Sequence, residues 1–567
     1  MDTKRLEEIL SEGEKLNIEF KSERRREYSD KEIYEETIAL ANTIGGTLLI
    51  GVENNGTVTG ARPRHGLTID PNKLRSAIFH NTRPNVNTRI SVVPHEHGLV
   101  IAIEVESYPT ICATAGGKTL HRIIGSDGKP ATAPMYPHEH LSRKVDLGLL
   151  DFSSQPVENA TFDDLNPLEF ERVRQTIDKL HGDRTLLELS NEELAKALRL
   201  VESSNGRLIP NIAGLLIFGR VPSLEKLTPT HVVHFQVIDE RGDVRVNDAF
   251  KEPLVKIIDE IESRFKARNE EREKIVGLFR YPIPDYSLEG FREAINNALI
   301  HRDYTRMDNV YVQWYVDRII ITNPGGFLAG ITAENILVHE PKPRNPRLAE
   351  SFKRIGITEQ TGRGVDRIYM GQVRYGRPLP DYSLSDNAAV RMVLPGGESS
   401  LDFATFIFEE ERNGKVFSLD DLLIMNQLYY DRRIDPNKAG RLIQKGSVEA
   451  RRTLERLHEL GLVDGRGEKG GRIYHLSSSL YKRFHMESEY VRTKGFESIQ
   501  QEYMVIEYVK ENGEIRRSGV MDLCRITEAQ AKHLLRRLRE KYPEFQKEGE
   551  KRAARYKWIE PINNSKP

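Results

Sequence analysis

The sequence predicts a multidomain protein of the α/β (α+β) class, and three observations carry that expectation. The chain has 567 residues, well beyond the roughly 250 to 300 at which one hydrophobic core stops growing, so it must divide. Its first 145 residues alternate helical and strand periodicities, as a mixed sheet-and-helix domain requires. Beyond residue 400 it twice repeats a plan of short helices followed by paired strands. The boundaries that follow are a domain at 1–145, a polar linker at 146–165 and a helix-and-strand lead-in at 166–284. A compact module at 285–395 and two small units at 400–480 and 495–562 complete the chain.

Taken in order, Glu32 to Asn42 has helical spacing, and Gly45-Gly46 turns into a strand over Thr47 to Val52. Asn54-Asn55-Gly56 is a tight-turn sequence leading into Thr57 to Gly60. Thr88 to Val105 and Thr119 to Gly125 are rich in strand formers. After the linker come helices at about 167–181 and 190–200, the apolar segment Ile212 to Gly219, and a strand from His231 to Ile238. Phe250 to Phe265 reads as an amphipathic helix running into charged turns near Arg268 to Lys274. Pro395-Gly-Gly-Glu-Ser-Ser is a second linker. In the first small unit Lys438 to Gln444 and Ser447 to Leu460 are helices, followed by a glycine-turned hairpin over Leu462 to Leu476. The second repeats this with Tyr503 to Glu511, Ser518 to Cys524, Thr527 to Lys541 and a strand pair ending at Tyr556 to Ile559. Helices followed by a hairpin make a winged helix–turn–helix pattern.

Composition narrows the function classes. With 84 basic and 85 acidic residues the formal charge is −1, so any attraction to a polyanion must be local. Cys112 and Cys524 are too few for a disulfide framework or a cysteine zinc site, which fits a reducing cytosol. No apolar run reaches the roughly 20 residues of a membrane span, and the charged N-terminus is no signal peptide. The expectation is a cytoplasmic protein with no membrane partner.

The most informative stretch is Phe291 to Tyr304, FREAINNALIHRDY. Read as a helix, it stacks Glu293, Asn297 and His301 on one face at i, i+4 and i+8, beside an apolar face of Ala294, Ile295, Ala298 and Leu299. A carboxylate and an amide at a buried edge suit polarising a water and offering an oxygen to Mg²⁺. His301 reads as a structural histidine, and Arg302-Asp303 as a buried ion pair. Downstream, Asn323-Pro-Gly-Gly ends a strand-like run over Arg318 to Thr322, and Gly362-Arg-Gly-Val-Asp-Arg-Ile opens another helix. Glycines ahead of a helix let backbone N–H groups approach phosphate oxygens, where the helix dipole favours negative charge.

At these residues the chain resembles known families. Leu16-Asn-Ile-Glu-Phe-Lys21, Ala39-Leu-Ala-Asn42, Gly45-Gly-Thr-Leu-Leu-Ile-Gly-Val52 and His121-Arg-Ile-Ile-Gly125 resemble the Schlafen-type Alba-like domain of DNA-binding proteins. Ala213-Gly-Leu-Leu-Ile-Phe-Gly219, Glu293-Ala-Ile-Asn-Asn297, His301-Arg-Asp-Tyr304, Asn323-Pro-Gly325, Arg344-Asn-Pro346 and Gly362-Arg-Gly364 are similar to a RecG-related ATP-binding module. That module is a divergent branch of the GHKL fold of gyrase, histidine kinases and mismatch-repair ATPases. The resemblance spans about residues 1 to 395, with the motifs in family order. It implies a Schlafen/Alba-like domain and a GHKL-like α/β sandwich ahead of the tandem winged helices. Proteins of this kind are described as ATP-binding transcriptional regulators or helicase relatives, and some lie among antiviral defence genes.

Carried over by motif, the resemblance makes Glu293 the general base that orients a hydrolytic water and Asn297 the residue holding Mg²⁺. Asn323 stands where the wider fold has an aspartate that accepts from the adenine amino group, which puts base selectivity in doubt. Gly325 belongs to the same turn, Gly362 and Gly364 supply phosphate-facing amides, and Arg344 or Arg363 neutralises the γ-phosphate. In the N-terminal domain, Schlafen nucleases use a carboxylate trio. Glu14 and Glu19 match the first two, while the third position is Asn54, with Glu53 beside it. Losing one carboxylate weakens a divalent-metal site, since hard cations want charged oxygens.

The residues themselves nominate the nucleic-acid contacts. Lys21, Arg24, Arg25, Arg26 and Arg122 are candidates in the first domain. Between Thr527 and Lys557 ten Lys/Arg stand against five Asp/Glu, and Lys532, Arg536 and Arg539 fall on one face of the presumed recognition helix. Arg451, Arg452 and Arg456 are the weaker equivalent in the first unit, where Glu449, Glu455 and Glu459 interleave. The resulting expectation is an ATP- and Mg²⁺-dependent, nucleotide-switched regulatory or defence protein, leaning to ATP hydrolysis. It binds nucleic acid, DNA in preference to RNA, as a dimer or larger homo-oligomer. Two alternatives stay open: a Schlafen-like metal-dependent nuclease gated by ATP, and a transcriptional regulator whose ATP fold is vestigial.

Overall fold

The computed structural model describes residues 1–125, 127–204, 206–276, 279–358, 364–396, 401–466, 472–484, 498–524, 526–549 and 554–559. The chain forms two compact units, Met1–Ser399 and Ser400–Pro567. The first opens with helix α1 (Thr3–Glu12), N-capped by Asp2, which the sequence reading did not foresee. Strand β1 (Ile18–Lys21) follows, then α2 (Asp30–Ala41), whose start is fixed by a capping box between Ser29 and Glu32. Strand β2 (Gly45–Ile50) leads through a turn closed by Gly56 N–H on Glu53 O to helix α3 (Pro71–His80), capped by Asp70. Strands β3 (Thr88–His95) and β4 (Gly98–Glu106) form a hairpin. The sheet order is β1-β2-β4-β3, with only β1 and β2 parallel. One face packs on α2 and α3 through Ile33, Ile38, Leu48, Leu74, Ile78 and Ile101. The other packs on α1 through Leu6, Ile9, Phe20, Leu49 and Val100. A second ribbon, β5 (Leu120–Ile124) with β6 (Pro130–Pro134), lies against α2.

The stretch expected to be plain linker begins inside helix α4 (Pro137–Asp146) and carries short 3-10 turns at Phe152–Ser154 and Phe162–Asp164. Helix α5 (Pro167–Lys179) follows. The apolar segment after it is a fully buried helix, Ile212–Phe218, N-capped by Asn211. The module's sheet contains β7 (Val233–Ile238), β8 (Val244–Phe250), β9 (Val310–Trp314), β10 (Arg318–Pro324) and β11 (Ala389–Pro395) in the order β8-β7-β9-β10-β11. Only β7 and β9 run parallel. Helices α6 (Leu254–Arg268), α7 (Leu288–Ile300), α8 (Pro346–Ile355) and α9 (Gly364–Val373) complete the module.

Two expectations are corrected here. Phe250 ends strand β8 rather than starting a helix, because β7 and β8 pair all the way to Val233–Phe250. The charged residues after Arg268 are one side of a hairpin, Glu271–Val276 with Phe279–Pro284, held by its own ladder rather than by hydrophobic patterning.

In the second unit, α10 (Leu401–Arg412) and α11 (Leu419–Asp431) precede α12 (Pro436–Leu442) and α13 (Ser447–Glu459), then a ribbon of β12 (Val463–Arg466) and β13 (Ile473–Leu476). Ile434 adds a bridge to Tyr474, so a third short edge joins that ribbon between α11 and α12. The last part comprises α14 (Ser498–Asn512), β14 (Glu514–Arg516), α15 (Arg517–Cys524), α16 (Glu528–Lys541), β15 (Phe545–Glu548) and β16 (Arg555–Trp558). Its sheet order is β14-β16-β15 around a core of Val505, Val520, Leu534, Leu535, Leu538 and Phe545. Among the described residues no helix is long and apolar enough to cross a membrane.

Candidate functional site

Helix α7 is placed by two devices. Ser287 caps its start by accepting from Gly290 N, and its apolar face, with Phe291, Ala294, Ile295 and Leu299, is buried. Its end is held by the Arg344-Asn345-Pro346 segment. Asn345 Nδ2 donates to the carbonyls of Ile300 and Arg302, both at 2.7 Å, and Arg344 Nη1 donates to His301 O at 3.0 Å. These are the carbonyls a helix C-terminus leaves without intrahelical partners. Pro346 then starts α8 at the position where proline costs no hydrogen bond.

So anchored, α7 turns Glu293, Asn297 and His301 into a cavity of about 610 Å³. The opposite wall is the sheet. Ile321 pairs with Met392 and Asn323 with Val390, so all four side chains stand on one face, and all line the cavity together with Phe327 and Tyr382. Gly364, at the start of α9, closes a third side, and a Cβ there would overlap the Glu293 carboxylate. Glu293 therefore lies at the positive end of a ten-residue helix. Lys342 and Lys353 line the rim. Burial and the neighbouring Arg344 push the His301 imidazole down to about 4, which keeps it neutral.

Most of the residues singled out from the sequence converge here. Glu293, Asn297, Asn323, Arg344 and Gly364 all line the cavity, whereas Gly362 and Arg363 lie outside the described residues. Gly325 is not a lining residue. Its φ of 94° and missing Cβ let the Arg344 guanidinium pass, because a side chain there would overlap it. Arg344 is a brace more than a free cation: besides His301 O, it donates to Gly326 O at 2.7 Å and pairs with Asp146 at 2.8 Å. Neutralising a phosphate would require it to give up Asp146. Arg302 and Asp303 are both buried but take separate partners. Arg302 donates to the carbonyls of Thr230 and Asp308, and Asp303 accepts from Ser142 and pairs with Arg306.

What the sequence did not reveal is that residues 142–151 brace this wall through the pairing of Asp146 with Arg344. Asp146 holds Arg344, Ser142 holds Asp303, and Asp151 accepts from Arg347 N at 2.8 Å at the start of α8. Burial, outweighing Arg344, raises the Asp146 carboxyl above its ordinary value. Only the polar character of the segment hinted at this.

The residues fit a nucleotide. The volume is that of a small-molecule site. Asn323 is buried, and its Oδ1 has no hydrogen-bond partner. Among the described residues no group of three His, Cys, Asp or Glu is placed to hold a metal.

The acids of the first domain are arranged otherwise. Glu14 and Glu19 are neighbours, and burial followed by Glu19 raises the Glu14 carboxyl, which accepts from Phe20 N. Glu19 pairs with Lys21 and Arg122. Glu36, not foreseen, joins the same two cations from α2. Glu53 stands apart, accepting from Ser22 at 2.5 Å and Thr59 at 2.9 Å, bonds that hold it below the usual carboxylate range. Among the described residues Glu14, Glu19 and Glu53 do not form a group of three placed to hold a metal. Arg122, 1% exposed, is turned inward, and the half-buried Lys21 pairs with Glu19 and Glu36, so both cations are engaged in this ion cluster. Arg24 and Arg25 are exposed. In the second unit Arg451 and Arg452 are exposed on α13, but Arg456 is drawn to Asp421 and Ser418. Lys532, Arg536 and Arg539 are exposed on the face of α16 opposite Ala531, Leu534 and Leu538.

Comparison with known proteins agrees with this architecture. Residues 14–131 match the family model described as Schlafen, AlbA_2, and residues 308–394 match that of the putative ATP-dependent DNA helicase recG C-terminal. The chain is thus a fusion of a Schlafen-like domain with an ATPase-like domain. Residues 145–234, between them, match a domain of unknown function. The ATPase-like match takes in Asn323, Arg344 and Gly364 but starts after α7. No curated protein matches the chain. The crystal structure of the DIP2311 protein from Corynebacterium diphtheriae is similar in fold, with a TM-score of 0.50 at 22% identity over 85% of this chain and 98% of that one.

Proposed function

We propose that the cavity between α7, α9 and the sheet binds ATP with Mg²⁺ and that the bound nucleotide controls nucleic-acid binding elsewhere in the chain. The observation that carries this reading is the convergence of Glu293, Asn297, Asn323 and Gly364, from three separate elements, on one cavity of about 610 Å³. Glu293 holds and orients the attacking water and takes its proton. Asn297 offers its amide oxygen to the metal, and the start of α9 offers backbone N–H groups to phosphate oxygens. Mg²⁺, when bound, draws charge from the phosphates. Lys342 and Lys353 add positive charge at the rim. The pairing of Asp146 with Arg344 of the cavity wall supports a mechanical link from this site toward the first domain.

For the nucleic-acid side, the helix order and three-stranded sheet of residues 498–559 support a winged helix–turn–helix with α16 as its reading helix. Lys532, Arg536 and Arg539 give that helix its cationic face, and DNA is the favoured ligand. A dimer is the favoured assembly. The test is hydrolysis of Mg·ATP by the purified chain: activity that Glu293→Gln abolishes while binding persists supports the reading, and activity unchanged in that variant refutes it.

A further inference from the structure

We infer that the cavity does not discriminate between 6-amino and 6-oxo purines, because Asn323 faces the 6-position of the base with an amide free to swivel. This rests on the nucleotide reading above and deepens it to the class of nucleotide taken. Asn323 is the penultimate residue of β10, 5% exposed, and points from the sheet into the cavity floor. Its face-mates Ile321, Val390 and Met392 are apolar, with Tyr382 beside them, and the Tyr382 hydroxyl is engaged at 3.2 Å by Met392 Sδ. That end of the cavity thus offers flat apolar walls and one polar side chain, which suits a purine ring.

A buried amide normally has both ends held. Here Oδ1 has no hydrogen-bond partner, and among the described residues none bonds Nδ2. An amide presents an acceptor at one end and two donors at the other. Adenine carries an amino donor at position 6 and guanine or hypoxanthine a carbonyl acceptor. A half-turn of the unheld amide exchanges Oδ1 for Nδ2 and satisfies either edge. A carboxylate at this position has acceptors only: it would pair with the amino group and repel the carbonyl. Buried sites discriminate by leaving the wrong partner's polar groups unpaired, and a reversible amide leaves none.

The experiment is isothermal titration of the full chain with Mg²⁺ and the non-hydrolysable imido analogues of ATP, GTP and inosine triphosphate. The wild-type chain is expected to bind all three within about tenfold of one another. Asn323→Asp is expected to keep the ATP analogue and to weaken the two 6-oxo analogues by at least about tenfold. A wild-type chain that binds the ATP analogue roughly a hundredfold tighter than the inosine one overturns the inference while leaving nucleotide binding intact. So does an Asn323→Asp variant whose ratio is unchanged. Binding of none of the three overturns the nucleotide reading itself, and this inference with it. The wild-type ratio needs no variant, so it decides the matter even if the substitution impairs folding.

Discussion

Glu19 and Glu293 are both carboxylates at the buried edge of a sheet-and-helix domain, yet Glu19 closes on Lys21 and Arg122 of its own chain while Glu293 opens on a cavity. The neighbours explain the difference. The sheet edge beside Glu19 receives long cationic side chains from β1 and β5, and Glu36 completes their charge balance. Beside Glu293 stands Gly364, whose missing side chain makes room for the carboxylate at the cavity wall. Burial of an acid therefore identifies a site only when the acid also faces a cavity.

The contrast can be broken first at the cavity. Glu293→Gln is expected to lower ATP hydrolysis by roughly 10²- to 10⁴-fold while changing the unfolding free energy by less than about 1 kcal/mol. Phosphate-release assays and urea unfolding check the two halves. In the first domain the expected effect falls on stability instead. Arg122→Met leaves the buried Glu19 and Glu36 sharing Lys21 in place of two cations and should cost about 3–5 kcal/mol in urea unfolding of that domain. A cost below about 1 kcal/mol would mean that the cluster rearranges readily, and the contrast would fail.

Charges left on the surface should behave differently from both. Replacing Lys532, Arg536 and Arg539 together by alanine should leave stability unchanged and reduce the slope of log affinity for duplex DNA against log salt by about 2–3, read by fluorescence anisotropy. The same rule that burial sets charge state gives a pH prediction for His231, which burial and Arg302 depress to about 4. Between about 6.5 and 4 the unfolded chain binds a proton that the folded chain refuses, so stability falls as pH falls, by about 1.4 kcal/mol per unit. Outside that window this residue contributes no pH dependence. His231→Gln should remove that slope from urea titrations across the window.

Much of this was legible in the sequence where local rules dominate. The α7 stripe, the Asn323 turn and the start of α9 were found from spacing and glycine placement, because helix periodicity and capping act over a few residues. The roles of Arg344 and Asp146 were not, because their pairing joins residues far apart in the chain and leaves no periodic trace. Arg122 looked like a surface cation for the same reason: its partner Glu19 stands far away in sequence. The hairpin after Arg268 is not legible because its first strand opens on four charged residues and carries no apolar alternation.

The central claim is that Asn297 and its neighbours hold a magnesium-bound triphosphate in this cavity. Isothermal titration of the wild-type chain and of Asn297→Ala with the imido analogue of ATP, with and without Mg²⁺, tests it most directly. The account predicts Mg²⁺-dependent saturable binding by the wild-type chain and a loss of about tenfold or more in the variant. Equal affinity in the two chains, or tight wild-type binding indifferent to Mg²⁺, would contradict it.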